Sequence, residues 1–188
     1  MKSLSQLIEF KSLENKELSW LENQIVREVI PAGKIIAPQD EINNDIIFLN
    51  EGILAAVYKV DKKKFIRDFY LSGNFFRDYQ SYSNQKPAKF SVEAITNSII
   101  QKITFEKLKE IIDHLPKIKS ISEHLDKIGF INISKRLETM LVLNPEERYL
   151  ELLRERPLLL NEVPLYMIAS YLGITSVALS RIRKRIMK

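Results

Sequence analysis

Leu165-Tyr-Met-Ile-Ala-Ser-Tyr-Leu-Gly-Ile-Thr-Ser-Val-Ala-Leu-Ser-Arg-Ile-Arg-Lys-Arg-Ile186 is the stretch whose reading decides the fold. In its first half Leu165, Ile168, Ala169 and Leu172 recur at helical spacing, and Ala169 is small enough to let a second helix cross closely. Gly173 stands where the chain must turn, because a residue without Cβ takes positive φ at little cost. Ile174 plugs the space between the helices. Thr175 or Ser176 caps the next helix, whose Leu179, Ile182 and Ile186 share one face. The pattern predicts helix, short turn, helix. A plain helical hairpin is the alternative, but the small residue, the glycine, the cap and the plug all fall where the turned motif needs them.

The outward face of the second helix carries Ser176, Val177, Ser180, Arg181 and Lys184. Between Val163 and Lys188 there are five basic residues and no acidic one, a local excess that says more than the overall net charge of +5. Such a helix suits the major groove of double-stranded DNA. There Thr175, Ser176, Val177, Ser180 and Arg181 would lie nearest the bases, with Lys184 on the same face. Arg183, Arg185 and Lys188 are placed more like phosphate contacts, which position without reading sequence.

Upstream the pattern changes twice. Ser3 to Asn23 reads as short helices. From Gln24 to about Ile103 the chain breaks into β-branched and aromatic runs: 25–30, 34–37, 45–49, 53–60, 65–71, 91–96 and 99–103. Turn chemistry separates them, notably Pro31-Ala32-Gly33, Asn50-Glu51-Gly52 and Ser72-Gly73-Asn74. Evenly spaced short strands predict an antiparallel sandwich or jelly roll. Thr104 caps a helix over 104–113. Pro116 restarts the chain, and Ile118, Ile121, Leu125 and Ile128 follow with the 3-4-3 spacing of a helix packed lengthwise against another. A helix of ~25 residues reaching Leu143 is longer than one face of a small sandwich needs, and a symmetric dimer is the simplest use of the excess. The alternative is that it only covers the β domain. Asn144-Pro145-Glu146-Glu147 reads as N-cap, proline at N1 and an acidic first turn, so a new helix runs to about Arg156, where Pro157 ends it.

Several function classes fall away. The chain has no cysteine, which excludes disulfides, thiolate nucleophiles and iron–sulfur ligation. The only histidines, His114 and His124, both lie outside 24–103, so a jelly-roll metal enzyme lacks its ligands. No Gly-rich phosphate loop or Ser/His/Asp set stands out, and neither an enzymatic activity nor a cofactor is expected. The first thirty residues are broken by charges and lack an apolar export or membrane segment, so the expected location is the cytoplasm.

The order of β-rich domain, long helix and terminal helix-turn-helix resembles the Crp/Fnr family of bacterial transcription regulators (cyclic-AMP receptor and fumarate–nitrate regulator). Ile30-Pro-Ala-Gly-Lys-Ile-Ile36, Ile47-Phe-Leu-Asn-Glu-Gly52, Leu71-Ser-Gly-Asn-Phe-Phe76 and the segment 163–186 carry the resemblance, which covers nearly the whole chain. It implies an α+β fold with an N-terminal β-roll, a cyclic-nucleotide-binding-like jelly roll serving as sensor, over 1–116. A dimerisation helix over 117–143 and a DNA-binding helix-turn-helix domain over 144–188 follow. The chain is expected to form a homodimer through 117–143 and to bind a palindromic site. RNA polymerase is a further implied partner if transcription is activated, and an unidentified small molecule is the implied effector.

Departures from the family pattern shape the expected site. Cyclic-nucleotide binders carry Phe-Gly-Glu-Leu and later Arg-Ser-Ala; here the matching positions read Phe76-Arg77-Asp78-Tyr79 and Ala88-Lys89-Phe90. Arg77 replaces the glycine that lets backbone approach a phosphate, and the later arginine is gone. Phe76, Arg77, Asp78 and Lys89 remain the candidate ligand-binding residues, with Lys89 or Arg77 as point charges, and a response to cyclic AMP is not expected. Val177 stands where the family's receptor has a base-reading glutamate, so another target sequence is expected. Arg181 matches the arginine of the family's recognition helix. With Lys188 the last residue of the sequence, the β-hairpin wing that usually follows this helix in the family is not expected here. A small-molecule or protein-interaction module that does not touch DNA is the alternative.

Overall fold

In the computed structural model, which describes residues 11–186, the β-rich segment forms eight strands in two four-stranded antiparallel sheets. They are β1 (Val26–Ile30), β2 (Ile35–Ala37), β3 (Asp45–Glu51), β4 (Ile53–Val60), β5 (Lys63–Leu71), β6 (Phe75–Arg77), β7 (Ser91–Ala94) and β8 (Ser98–Thr104). One sheet has the order β1-β8-β3-β6 and the other β2-β7-β4-β5. The seven runs read as strands all appear. Strand β6 was not anticipated: three residues are too few to show alternation, and it forms only because Ile46, Ile47 and Phe48 of β3 offer a free edge to it.

Alternation along each strand places Ile30, Ile47, Leu49, Leu54, Ala56, Val92 and Ile100 between the sheets. Strand β4 departs from simple alternation because both of its faces are covered. Leu54 and Ala56 point between the sheets, while Ile53, Ala55 and Val57 belong to a second cluster on the outer face. Its partner β5 carries a bulge, with Ala56 opposite Asp68 and Val57 opposite Ile66, so that Arg67 is the extra residue. The bulge resets the alternation and lets Ile66 and Phe69, three residues apart, both join the outer cluster.

Helix α1 (Asn15–Glu22) is opened by a reciprocal capping box between Glu14 and Glu17; the earlier part of the helical reading of 3–23, up to Phe10, lies outside the described residues. A short α2 (Tyr79–Asn84) follows β6. Helix α3 (Phe105–His114) starts at Thr104, whose hydroxyl accepts from the Lys107 amide, as its sequence indicates. Helix α4 runs for 26 residues, Lys117–Val142. Its N-terminal stripe follows the alternative of a helix that covers the β domain. Ile118 and Ile121 are buried, and Leu125 packs beside them, against Leu13, Leu21, Phe48, Leu108 and Ile111 of the same chain. The apolar positions that α4 leaves in solvent come later: Phe130, Ile133, Leu137 and Leu141, each more than half exposed.

Asn144 opens α5 (Pro145–Glu155) with a full capping box to Glu147. Pro157 ends α5 but also starts α6 (Pro157–Glu162), a helix the sequence reading passed over because a proline that closes one helix is equally good at N1 of the next. Helices α7 (Leu165–Tyr171) and α8 (Ser176–Ile186) complete the chain. The C-terminal helices do not form a core of their own. Tyr149, Leu152, Leu159, Met167, Ile168, Leu172, Leu179 and Ile182 share one cluster with the outer face of β4 and β5. No single helix among the described residues is long and apolar enough to cross a membrane.

Gly52, in the β3–β4 turn, tests this arrangement. Its φ is +100°, and a Cβ there would lie 2.8 Å from both the Asn97 carbonyl oxygen and the Ser98 Cα, besides meeting the Ser98 hydroxyl. Gly52→Ala is therefore expected to lower unfolding stability by about 2 kcal/mol or more. Adding Ser98→Ala should not restore it, since the backbone contacts remain; paired urea melts of the single and double variants measure both effects.

Candidate nucleic-acid interface

The turn between α7 and α8 is built from backbone hydrogen bonds. The Ile174 amide donates to the Ala169 carbonyl at 3.0 Å and the Gly173 amide to the Ser170 carbonyl at 3.0 Å. This pair of bonds is the Schellman closure of a helix, and it requires the left-handed conformation that Gly173 adopts, φ +69°. The chain then bends so that α7 and α8 are set at 96°. Ile174, partly buried, packs on the shared cluster. The Thr175 hydroxyl accepts from the Ala178 amide at 3.2 Å, which makes Thr175 the cap of α8. Leu179 and Ile182 are buried beneath it.

The opposite face of α8 is open. Thr175, Ser176, Val177, Ser180, Arg181, Lys184 and Arg185 are all exposed. Arg181 and Lys184 make no hydrogen bond or ion pair to the described residues. Two of the predicted contacts are placed differently. Arg185 is ion-paired with Glu146 of α5 at 2.6 Å, and Arg183 is only partly exposed, with its Nε buried. Lys188 lies outside the described residues. Among the described residues all strands lie between Val26 and Thr104.

The motif is anchored to the roll by residues that the sequence reading did not single out. The Ile66 amide of β5 donates to the Ser170 hydroxyl at 3.0 Å. Arg156, at the end of α5, binds Asp68 at 2.8 Å. The Phe69 and Tyr171 rings meet with centroids 5.4 Å apart. From α4, the Arg136 guanidinium lies over the Tyr171 ring at 3.9 Å and donates to the Tyr171 carbonyl. Burial works against the charge of both arginines, but Asp68 more than offsets it at Arg156, whose pKa stands above the ordinary value, whereas Arg136 is held below it. Burial, followed by the Asp68 charge, raises the Tyr171 hydroxyl. These partners lie far apart in sequence, and local patterning carries no signal for them.

The candidate ligand residues of the roll do not converge on one point. Phe76 is buried, in ring contact with Tyr70 and Phe90. Tyr58 closes on Phe90, and the Arg67 guanidinium lies 4.3 Å from the Phe90 ring centre. Arg77 points to α4, where it pairs with Asp126 at 2.5 Å and donates to the Ser122 hydroxyl. Asp78 is the N-cap of α2, accepting from the Gln80 and Ser81 amides. Lys89 is exposed. Phe76 and Phe90 thus belong to an aromatic cluster between the sheets.

The turn geometry predicts that Gly173→Ala destabilises the protein by about 1 kcal/mol, because alanine resists the left-handed conformation while the neighbouring Met140 methyl can move aside. Gly173→Asn should cost less, asparagine being the residue that best tolerates this region. Thermal melts of the three proteins give the ranking.

No family model matches the sequence, and no curated protein matches it either. Solved structures do. The c-di-GMP-responsive global regulator CLP of Xanthomonas campestris is similar with a TM-score of 0.73 at 12% identity, covering 93% of this chain and 92% of that one. A CooA mutant from Carboxydothermus hydrogenoformans has a TM-score of 0.73 at 13% identity, over 100% and 86% of the two chains. A transcriptional regulator of the Crp/Fnr family from Eubacterium rectale has 0.71 at 14%, over 96% and 87%. The chain carries the fold of the Crp/Fnr regulators, the family that its sequence motifs resemble.

Proposed function

We propose that this chain is a Crp/Fnr-type transcription regulator that binds a palindromic DNA site as a homodimer in the cytoplasm. Residues 1–116 serve as sensor, 117–143 as dimerisation helix and 144–188 as DNA-binding domain. The observation that carries the reading is α8 itself. Its exposed face offers Ser176, Val177, Ser180, Arg181 and Lys184 without an acidic residue, set at 96° to α7 by a turn that needs Gly173. Short polar groups and an arginine at the N-terminal half of a recognition helix suit base edges, while Lys184 and Arg183 suit phosphates. Arg185 must leave Glu146, or share it, to reach a phosphate.

Selection against random duplex DNA should recover a palindrome with half-sites about one helical turn apart, and Arg181→Ala should weaken binding to it by about 1–3 kcal/mol while leaving the fold intact. Affinity for the recovered site should fall steeply with salt. Enrichment of no sequence at any salt would instead favour a small-molecule or protein-interaction module that does not bind DNA.

The dimer reading rests on the second half of α4. Phe130, Ile133, Leu137 and Leu141 recur at 3-4-4 spacing and are exposed in the single chain, a seam of the kind that a second helix covers. Leu137→Asp is expected to give a monomer by light scattering, and with it lose binding to the palindrome but not the folded circular dichroism spectrum.

Cyclic AMP is not the effector on this reading. Phe76 and Phe90 are in ring contact inside the roll, Arg77 and Asp78 are engaged elsewhere, and Lys89 alone is a weak substitute for a phosphate-binding arginine. RNA polymerase would be a further partner if the chain activates transcription.

A further inference from the structure

The β4–β5 hairpin carries the densest run of cations in the roll. From position 59 to position 67 stand Lys59, Lys62, Lys63, Lys64 and Arg67 against one acid, Asp61. The hairpin is tight: Val60 pairs with Lys63, so Asp61 and Lys62 alone make the turn, and Asp61 takes a left-handed φ of +53°. Lys59 and Lys64 stand opposite one another in the register, a placement that like charges oppose. Glu93 of β7 offsets it, lying 3.3 Å from Lys59 and 2.9 Å from Lys64. One carboxylate thus engages both lysines at the root of the hairpin. Lys62 and Lys63, at its tip, are exposed and have no ion pair among the described residues.

This hairpin is tied to the helix-turn-helix. The Ser170 hydroxyl, in the last turn of α7, accepts from the Ile66 amide at 3.0 Å and reaches the Lys64 carbonyl at 3.5 Å. Ala169, its neighbour, accepts from the Ile174 amide at 3.0 Å, and Thr175 then caps α8. Two hydrogen bonds therefore separate Lys64 from the start of α8. We propose that Lys62 and Lys63 contact the phosphate backbone of DNA beside the half-site that α8 enters, so that the interface runs from α8 onto the β4–β5 hairpin. The major groove is about 12 Å wide and is bounded by phosphates on both sides, so a lysine held beside the start of a helix lying in it has backbone within reach. Lysine suits the role, being a hydrated point charge that asks no fixed geometry of its partner. The joint to α8, rather than charge alone, selects DNA over an acidic protein surface as the occupant. The proposal rests on the regulator reading and adds to it a phosphate-binding site on the roll.

Fluorescence anisotropy of the full chain tests it, on the recovered palindrome with flanking sequence on both sides and on a scrambled duplex of equal length, each over a range of salt. The double variant Lys62→Gln/Lys63→Gln is expected to lower the slope of log affinity against log salt by about 2 to 4 for a dimer, and to weaken both duplexes by the same factor, as phosphate contacts do. Arg181→Ala should instead weaken the palindrome more than the scrambled duplex. Lys34→Gln/Lys86→Gln removes the same charge from exposed positions of the roll outside the hairpin and should leave the slope unchanged. An unchanged slope in the hairpin variant, the result if the tip serves an acidic protein surface, would overturn the proposal and leave the regulator reading standing. So would an equal fall in the Lys34/Lys86 variant, or a loss confined to the palindrome. Failure of the unaltered chain to bind either duplex at any salt would remove both.

Discussion

Strand β4 is buried on both faces, and the placement of the C-terminal helices depends on it. With Leu54 and Ala56 inside the roll and Ile53, Ala55 and Val57 outside it, the strand presents a second apolar surface that must be covered. Helices α5 to α8 cover it. They are too short to close a core among themselves: α6 has six residues and α7 seven. Helix α7 packs on β5 and the others join the same cluster through it and one another, so the helix-turn-helix is held in place by hydrophobic burial against the roll rather than by its own packing alone.

Polar bonds then select one arrangement on that apolar surface. The bulge at Arg67 turns Phe69 outward, and Tyr171 meets it. Asp68 beside them takes Arg156, and Ser170 takes the Ile66 amide. Removing one member of the Asp68–Arg156 pair would cost more than the pair contributes, since the remaining charge is mostly desolvated. Arg136 adds α4 to the same joint through the Tyr171 ring and carbonyl. Roll, long helix and helix-turn-helix thus meet at Tyr171, one turn ahead of the cap that starts α8.

What the sequence disclosed divides along the range of the interactions. Caps at Thr104, Asn144 and Thr175, the positive-φ turn at Gly173 and the seven strands other than β6 were legible, because each is set by residues within a few positions of one another. The burial partner of a stripe was not. Ile118, Ile121 and Leu125 have the periodicity of a helix packed lengthwise on a helix, yet they lie on α1, α3 and Phe48, and periodicity alone carries no information on what covers a face. The same holds at the site: α8's open face followed from spacing, whereas the Arg185–Glu146 and Arg156–Asp68 pairs join residues 39 and 88 positions apart.

The inner cluster of the roll is aromatic where its candidate ligand residues stand. Phenylalanine at 76 and 90 and tyrosine at 58 and 70 meet there in edge-to-face and tilted ring contacts. Arg67 joins them across the Phe90 ring, on the inner cluster, whereas Arg136 lies over Tyr171 on the outer one, so β5 and the segment it anchors carry a cation–ring contact on each side.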